Sequence, residues 1–403
     1  MPRKKLGKNE AIGSWPSVIN LLQMAIPDSM IALAAERAWV EIDAQALAHN
    51  IQALHALLGP QTALMAVIKA NAYGHGAVRV AKVAQQQGVE YFGVATVPEG
   101  VELRQAGIVK PILVMGAVHS PSQIEAIAHW NLEPTLCTPE QALRFSQAVS
   151  SPLSVHLKLD TGMSRLGHPW QQSADFIQFV QGLPWLNIVS LYSHLATADA
   201  PDQSFMKIQQ ERFDCAVAAA YPQAATQPRL HLANSAGTLF SPVLHYDMVR
   251  IGLALYGIYP GPQFRTAIDL KPAMQVRARI VQVKTLAAGT GVSYNHRFIA
   301  PHELRAAVVG IGYADGVPRN LSNRMQVSIH GRRVPQIGTI TMDQLIVDVT
   351  DLPQVNVGDT VTLLGQDGDT VILADEWADA LGTIPYEIVC GFQPRLPRMD
   401  CPD

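Results

Sequence analysis

Between about residues 45 and 260, short apolar runs alternate with stretches that have helical spacing. Strands that are apolar throughout and are joined by helices are typical of a parallel sheet with both faces covered. Eight such units predict a closed (β/α)8 barrel of the TIM type, whereas an open doubly wound sheet is disfavoured because no G-x-G-x-x-G motif follows the first strand. The eight predicted strands are residues 62–69, 91–96, 111–115, 132–137, 154–160, 188–194, 229–234 and 248–252. The six predicted helices between them are residues 77–87, 98–106, 121–129, 139–149, 173–181 and 203–220.

The sequence changes in character after about residue 270. Residues 274–283 alternate apolar and polar side chains, as a half-exposed strand does. Shorter strands are predicted at 305–312, 325–329, 334–338 and 344–349, with glycine-containing turns between them. We therefore expect an α/β chain in three parts: an N-terminal extension, disordered in part, over 1–37; a (β/α)8 barrel over 45–265; and a separate C-terminal mainly-β domain over 266–403 that also takes a strand from 38–44.

The composition argues against several classes of partner. Charged residues make up 16% of the chain and the net charge is −3, which gives no electrostatic basis for binding nucleic acid or an acidic membrane surface. The four cysteines form no C-x-x-C pair and no cluster with zinc spacing, so we expect no metal and a reducing compartment. Residues 17–35 are moderately apolar, but Pro27 interrupts them well short of a membrane span. The expected location is the cytoplasm.

Charged side chains are predicted at the carboxyl ends of the barrel strands, where this fold places its functional groups. The first strand ends in Lys69, and the fifth leads into Lys158 and Arg165. The sixth ends in His194, and the eighth carries Arg250 within an apolar run. A lysine that closes a buried strand costs free energy unless it is paired, neutralised or covalently bonded. These five groups therefore mark one candidate site at the mouth of the barrel.

The segments that carry these residues resemble alanine racemases. Lys69-Ala-Asn-Ala-Tyr-Gly-His-Gly76 is similar to the segment that holds the pyridoxal-phosphate lysine of that family. The resemblance covers roughly residues 38–395, and it implies a pyridoxal 5'-phosphate (PLP) enzyme that interconverts L- and D-alanine and supplies D-alanine for bacterial peptidoglycan. The other similar segments, in family order, are His156–Gly167, Ser193–Asp199, Asn234–Ala236, Val249–Gly252, Val292–Tyr294, Gly310–Gly316, Thr341–Asp343 and Pro385–Glu387.

The resemblance implies two catalytic bases. Lys69 would hold the cofactor as a Schiff base and act as one base. Tyr294, in the β domain, would be the second base, presented across a homodimer interface to the barrel of the partner subunit. Racemisation requires a proton to leave one face of the α-carbon and another to arrive on the opposite face, which a single base does poorly.

The resemblance also assigns the polar groups around the cofactor. Arg250 would meet the pyridine nitrogen, and because a guanidinium cannot accept a proton, that nitrogen would stay unprotonated and the ring would be a weaker electron sink. His194 would link Tyr294 to Arg250 through hydrogen bonds. Arg165 would contact the phenolic oxygen of the cofactor and lie near the substrate carboxylate. Lys158 matches a position that is often carbamylated in this family and then orients Arg165.

Further residues are assigned to the phosphate and to the substrate in the same way. Ser235 is placed to begin a helix after the seventh strand, where free backbone N–H groups favour an anion. The residues implied for phosphate and cofactor binding are Tyr73, Asn234, Ser235, Gly252, Leu253 and Tyr386. The residues implied for substrate contact, from the second subunit, are Tyr313, Met342 and Asp343.

Three alternative functions stay open at this point. A broader racemase that acts on serine differs from an alanine racemase only by a small change in a pocket. A barrel-type PLP decarboxylase would carry a glycine-rich phosphate loop and a carboxylate at the pyridine nitrogen, which Asn234-Ser-Ala and Arg250 argue against. A non-catalytic PLP-carrier barrel would lack the second domain that bears Tyr294.

Overall fold

The computed structural model describes residue 33 and residues 35–223 and 227–401. Most of the predicted N-terminal extension, residues 1–32, lies outside the described residues. Within those ranges, no helix combines the length and the apolar character that a membrane crossing requires.

A strand and a helix precede the barrel. Strand β1 (Ala38–Ile42) is followed by helix α1 (Ala44–His55), which begins where the Asp43 carboxylate accepts a hydrogen bond from the Ala46 amide at 2.8 Å. Helix α1 was not predicted from the sequence. Its buried side chains include Leu47, Ile51 and Leu54, spaced to form one apolar face.

Eight parallel strands form the barrel, and each overlaps one of the predicted runs. Their bounds are β2 (Ala63–Val67), β3 (Tyr91–Val94), β4 (Ile112–Ala117), β5 (Glu133–Leu136), β6 (Leu153–Asp160), β8 (Leu186–Tyr192), β9 (Arg229–His231) and β10 (Met248–Ile251); the short β7 (His168–Pro169) pairs beside β6. The strands pair in the order β10-β2-β3-β4-β5-β6-β8-β9. Hydrogen bonds from Asp247 N to Leu230 O (3.1 Å) and from Arg250 N to Ala233 O (3.0 Å) join the two ends. The predicted barrel is confirmed.

Helices follow the strands and cover the barrel. All six predicted helices are present, within one or two residues of their expected bounds, and Ser235 begins a helix as expected. Helix α4 starts with a capping box, in which Thr96 and Glu99 satisfy each other's backbone amides. The helices are α2 (Lys69–Tyr73), α3 (Ala77–Gln86), α4 (Val97–Gln105), α5 (Pro121–His129), α6 (Pro139–Ala148), α7 (Ser173–Gln181), α8 (Ser204–Ala220) and α9 (Ser235–Phe240).

The second sheet contains strands from both ends of the described chain. Strand β1 pairs antiparallel with β11 (Met274–Leu286) and parallel with β20 (Arg398–Asp400). Each predicted strand after residue 270 is found. The remaining strands and helices are β12 (Gly291–Val292), β13 (Phe298–Ile299), β14 (Leu304–Val309), β15 (Gln326–Ile329), β16 (Arg332–Pro335), β17 (Leu345–Asp348), β18 (Thr360–Asp367), β19 (Thr370–Ile372), α10 (Ala374–Leu381) and α11 (Pro385–Cys390). Of the elements in this region, β12, β13, β18 to β20, α10 and α11 were not predicted.

The inside of the barrel is partly polar. A small apolar cluster that contains Met65, Leu113 and Met248 fills part of it. Beside this cluster lie buried polar side chains contributed by β6, β8, β9 and β10, which are His156, Lys158, Ser190, His231 and Arg250. Burying polar groups costs free energy unless they are hydrogen-bonded, so a cluster of them inside the barrel marks a candidate functional site.

Candidate active site

Lys69 begins a turn of unusual backbone conformation at the mouth of the barrel. It lies two residues beyond the end of β2, and Ala70 and Asn71 have φ of 52° and 53°, in the left-handed region that L-residues rarely adopt. The Asn71 carboxamide accepts a hydrogen bond from Ala77 N at 2.7 Å, and Ala70 N donates to Glu99 Oε1 at 2.7 Å. The surrounding structure therefore holds this turn from both sides. Glu99 was missed as a site residue, although its capping-box spacing was readable.

The environment of Lys69 favours a neutral amine. Burial, and secondly the cation of Arg165, lower the pKa of Lys69 below its ordinary value. Glu99 acts in the opposite direction but does not cancel the effect. A larger fraction of the amine is then unprotonated near neutral pH, as a nucleophile or a base requires.

Arg250 is buried, and its two terminal nitrogens Nη1 and Nη2 are hydrogen-bonded within the chain. Its guanidinium donates to three backbone carbonyls, those of Ser193 (2.7 Å), Leu232 (3.1 Å) and His231 (3.0 Å). It also donates to the Nδ1 atoms of His231 (3.1 Å) and His194 (3.2 Å). Burial lowers the pKa of Arg250 to about 10, which still leaves it cationic at neutral pH. Among the described residues, no carboxylate pairs with it.

Both histidines beside Arg250 are neutral. Because a guanidinium only donates, their Nδ1 atoms must carry lone pairs. Burial, and then Arg250, hold the pKa values of His194 and His231 well below their ordinary value. The cations Lys158, Arg165 and Lys69 also lower the pKa of His194. All four basic side chains predicted for the site therefore act electrostatically on this one imidazole.

Lys158 and Arg250 both lie against the buried aromatic ring of Tyr192. The Lys158 Nζ lies 5.4 Å from the ring centroid of Tyr192, and the Arg250 Cζ lies 5.2 Å from it. The Tyr192 ring also stacks on His231 at 4.8 Å, and its hydroxyl is hydrogen-bonded to Thr135 at 2.7 Å. Burial, and next Arg250, lower the pKa of Lys158 to about 8. Tyr192 was missed from sequence, because an aromatic residue ending a strand carries no distinctive signal.

Four of the residues predicted for phosphate binding lie together. The Ser235 hydroxyl accepts hydrogen bonds from Gly252 N at 3.1 Å and Ala254 N at 3.4 Å. A Cβ atom at Gly252 would lie 2.6 Å from the Tyr73 hydroxyl, so any larger residue at this position would clash with that hydroxyl. The rings of Tyr73 and Tyr386 are 5.8 Å apart. These groups form a small hydroxyl-lined loop beside the strand that carries Arg250.

The two neighbouring predicted residues have structural roles. The Asn234 side chain caps helix α9 by accepting from Gly237 N at 3.0 Å. Leu253 is fully buried in the main core. Both hold the loop in position.

Tyr313, Met342 and Asp343 are brought together in the β domain. Tyr313 N donates to Thr341 O, and Ala314 N donates to Met342 O, each at 3.0 Å. The Asp343 carboxylate accepts from Arg395 at 2.9 Å. Tyr313 is 39% exposed and Met342 is 52% exposed, so this group faces outward.

Tyr294 also faces outward, and it is not part of the barrel mouth of its own chain. Its side chain is 67% exposed, and its carbonyl accepts a hydrogen bond from Thr339 Oγ1 at 2.9 Å. Within the described part of the chain, its phenol has no hydrogen-bond partner. Of the predicted hydrogen-bond chain, the link between Arg250 and His194 is present. The link between His194 and Tyr294 is not found within the described part of the chain.

The comparisons with known proteins agree with the resemblance predicted from sequence. Residues 42–260 match the family model "Alanine racemase, N-terminal domain", and residues 273–400 match "Alanine racemase, C-terminal domain". The alanine racemase of Nostoc sp. is 60% identical over 370 residues, which cover 91% of this chain and 96% of that protein. The alanine racemase of Synechocystis sp. is 57% identical over 367 residues, which cover 90% and 99%.

Solved structures share the fold over both domains. The alanine racemase from E. faecalis superposes with a TM-score of 0.86 at 35% identity, covering 91% of this chain and 98% of that one. The alanine racemase from Streptomyces lavendulae has a TM-score of 0.85 at 36% identity, covering 91% and 97%.

Proposed function

The chain belongs to the alanine racemase family and is a PLP-dependent racemase, and we propose that Lys69 and Tyr294 are the two bases of its alanine racemisation. The observation that carries this assignment is the set of four basic side chains around His194, with Lys69 among them. Lys69 is also the member whose backbone begins the turn held by Glu99 and Asn71. Its lowered pKa makes it able to hold the cofactor covalently and to move a proton.

The residues at the mouth fit PLP. The loop of Tyr73, Ser235 and Gly252 offers hydroxyl and main-chain groups beside a position where no Cβ fits, which suits a phosphate. Arg250 lies in the adjacent strand, two residues before Gly252, and would face the pyridine nitrogen. When bound, PLP supplies a conjugated ring that delocalises charge from the α-carbon of an amino acid.

Arg250 would keep the pyridine nitrogen unprotonated. Every hydrogen bond of its guanidinium is a donated one, and it remains cationic at neutral pH. A fixed cation at that nitrogen weakens the ring as an electron sink. This property suits an enzyme that only moves a proton, since a stronger sink would promote transamination.

Tyr294 would act in the mouth of a partner's barrel. Its phenol is exposed and without a partner in its own chain, and Tyr313 and Met342 are exposed on the same domain. Large exposed apolar and aromatic side chains are typical of surfaces that another protein covers. We therefore assign this surface to a homodimer in which each barrel receives Tyr294, Tyr313, Met342 and Asp343 from the other subunit.

Lys158 is proposed to be carbamylated. It is buried with the cations Arg250 and Arg165 acting on it, and none of the described hydrogen bonds involves its amine. Carbamylation would replace a third cation by an anion between two arginines, which removes the electrostatic conflict. The anion would then orient Arg165 toward the substrate carboxylate and the phenolic oxygen of the cofactor.

The product would be used in a reducing, cytoplasmic setting. All four cysteines are free thiols. D-alanine made there would enter peptidoglycan synthesis, which is the general role of the family.

The test is α-proton exchange of L- and D-alanine in deuterated water with the PLP-loaded protein, followed by NMR and chiral analysis. We expect exchange and the opposite enantiomer from either starting isomer. A PLP-loaded protein that exchanges no proton would instead indicate the carrier function, and release of carbon dioxide would indicate a decarboxylase. Repeating the measurement with serine defines the substrate range.

A further inference from the structure

Beneath Arg250, the barrel interior holds a continuous line of polar side chains. Arg250 Nη1 is 3.1 Å from His231 Nδ1, and His231 Nε2 is 2.8 Å from Ser190 Oγ. Ser190 Oγ is 2.5 Å from His156 Nδ1, and His156 Nε2 is 2.8 Å from Glu133 Oε2. The line runs from the mouth of the barrel to Glu133, the first residue of β5, at the opposite end.

Strand register places these groups in contact. Successive inward positions on a strand are two residues apart, so His156 and Lys158 on β6 share a face, as do Ser190 and Tyr192 on β8. The register pairs His156 with Ser190. Five different strands, β5, β6, β8, β9 and β10, therefore contribute side chains to one descending line.

The direction of every proton in this line is determined. Arg250 can only donate, so His231 accepts at Nδ1 and, being neutral, carries its proton on Nε2. That proton must go to the Ser190 oxygen. The Ser190 hydroxyl proton then has one acceptor among the described residues, His156 Nδ1, and His156 donates from Nε2 to the Glu133 carboxylate.

All four hydrogen bonds thus point from the cation toward the carboxylate. His156, Ser190 and His231 are at most 1% exposed, and the Glu133 side chain is 17% exposed. Aligned hydrogen bonds in a buried, low-dielectric interior polarise one another in the same sense. A buried cation needs a compensating charge, and in the described chain Arg250 has none in direct contact.

A neighbouring cation, Arg104, is also acted on by the charge of Glu133, but its hydrogen bonds go to other groups. Arg104 donates to the main-chain carbonyls of Trp130, Asn131, Ile108 and Lys110. The only described ion pair of Glu133 is with His156.

From this line of contacts we infer that Glu133 is the counter-ion of Arg250, and that it acts through a neutral relay of His156, Ser190 and His231. These four are positioning residues, because they touch Arg250 or one another and not the substrate. The relay orients the guanidinium and supplies electron density to it from the far end of the barrel. The consequence for the cofactor rests on the proposed place of Arg250 at the pyridine nitrogen.

The test is ¹⁵N NMR of histidine-labelled, PLP-loaded protein, with the two signals assigned by His156→Asn and His231→Asn variants. We expect both imidazoles to be neutral, with the proton on Nε2 in each. In Glu133→Gln, the amide accepts less strongly and can also donate, so His156 should distribute its proton between both nitrogens. The matched control is Glu90→Gln, which removes an exposed carboxylate at the same end of the barrel and should leave both signals unchanged.

The same variants report on the coupling to the site. We expect Glu133→Gln to shift the absorbance of the bound cofactor and to lower kcat by roughly tenfold with little change in KM, comparable to the loss of an outer-shell partner. Glu90→Gln should change neither. Ser190→Ala interrupts the relay by loss of one oxygen and serves as a second variant if Glu133→Gln fails to fold; we expect it to reproduce both effects.

Two results would overturn the inference. One is a His231 protonated on Nδ1, or a doubly protonated His156, in the wild-type protein. The other is wild-type cofactor absorbance and kcat in both Glu133→Gln and Ser190→Ala. The tautomers are read from the imidazoles themselves, so a protein that fails to racemise alanine would contradict the proposed function without changing this result.

Discussion

The barrel mouth and the outward surface of the β domain both hold residues assigned to catalysis, but they differ in how complete they are. Arg250 makes five described hydrogen bonds within its own chain, all through its terminal nitrogens Nη1 and Nη2. Tyr294 is 67% exposed, and its phenol has no partner in the described chain. The mouth is thus preorganised by its own fold, whereas the role proposed for the β-domain surface requires a partner subunit to cover it.

This difference separates two ways in which a mutation can act. A change in the mouth alters packing and charge balance inside the barrel, so it should affect stability and activity together. A change at the Tyr294 phenol removes a group that has no hydrogen-bond partner among the described residues of its own chain. It should therefore affect activity alone.

Tyr294→Phe should have the largest effect on activity. Loss of a general acid–base group typically lowers the rate by about 10²–10⁴-fold. Because the hydroxyl has no partner within the chain, we expect the Tm to stay the same. Racemisation rates from both enantiomers and thermal unfolding measure the two effects. Tyr313→Phe, on the same surface, is the control and should lose far less activity; equal losses would contradict the assignment of the base.

Arg250→Lys should destabilise the barrel mouth, whose geometry depends on the hydrogen bonds of this guanidinium. A lysine cannot reproduce the five donated hydrogen bonds, which leaves carbonyls and two imidazole nitrogens unsatisfied in the core. We expect the free energy of unfolding to fall by about 2–4 kcal/mol, measured by urea denaturation. Arg333→Lys, in the exposed pair with Glu376, is the control and should cost under ~1 kcal/mol. A similar small loss at Arg250 would mean that the mouth is less rigid than its contacts imply.

Lys158→Met tests the charge balance in the mouth. The pKa of the unmodified amine is lowered from 10.5 to about 8, so the protonated form destabilises the fold below pH 8 by ~3 kcal/mol. This penalty disappears as the pH rises from about 8 to 10.5. In buffer free of bicarbonate at pH 7, the variant should therefore be more stable than the wild type.

Bicarbonate should reverse that order. A carbamylated Lys158 is an anion between two arginines, so with bicarbonate we expect the wild type to be more stable than Lys158→Met. Denaturation curves with and without bicarbonate, and ¹³C NMR with labelled bicarbonate, measure this. Lys82→Met, at an exposed position, is the control. An order that does not depend on bicarbonate would exclude the carbamate.

The effect of Arg165→Ala on the pH dependence of cofactor attachment should be the smallest of these effects. Its cation lowers the pKa of Lys69, so its removal should raise that pKa and move the pH midpoint of cofactor attachment upward. Because Arg165 is exposed, the shift should be small and should shrink at high salt. The rate of PLP reconstitution against pH measures it. A shift of the same size in Arg144→Ala, a distant exposed arginine, would show a general charge effect instead.

Much of the fold was predictable because hydrophobic periodicity is a local property. The eight barrel strands and their helices were found, and Pro121–His129 and Ser173–Gln181 were found with their exact bounds. Helix α1 was missed, although Asp43 and its apolar spacing are normal signals of a helix start. Strand β20, at the edge of the second sheet, was missed because it has only three residues and pairs with β1, which is remote in sequence.

The candidate site was predictable only where a motif marked it. Lys69, Arg250 and Ser235 lie in segments that resemble a family, and the structure places them as neighbours at one mouth. Tyr192 and Glu133 belong to no such segment, since an aromatic residue or an acid at a strand end is common. Their importance comes from what they contact.

The sequence by itself determined the two fold types and the eight barrel strands, and it supplied the candidate reactive groups, because each depends on spacing along the chain or on a short motif. Only the tertiary structure decided that Arg250 lacks a direct counter-ion, that its charge connects to Glu133 through three neutral side chains, and that Tyr294 lies outside its own mouth. The physical reason is that burial, hydrogen-bond direction and the distance between charges arise from side chains on different strands, and no pattern along one strand records them.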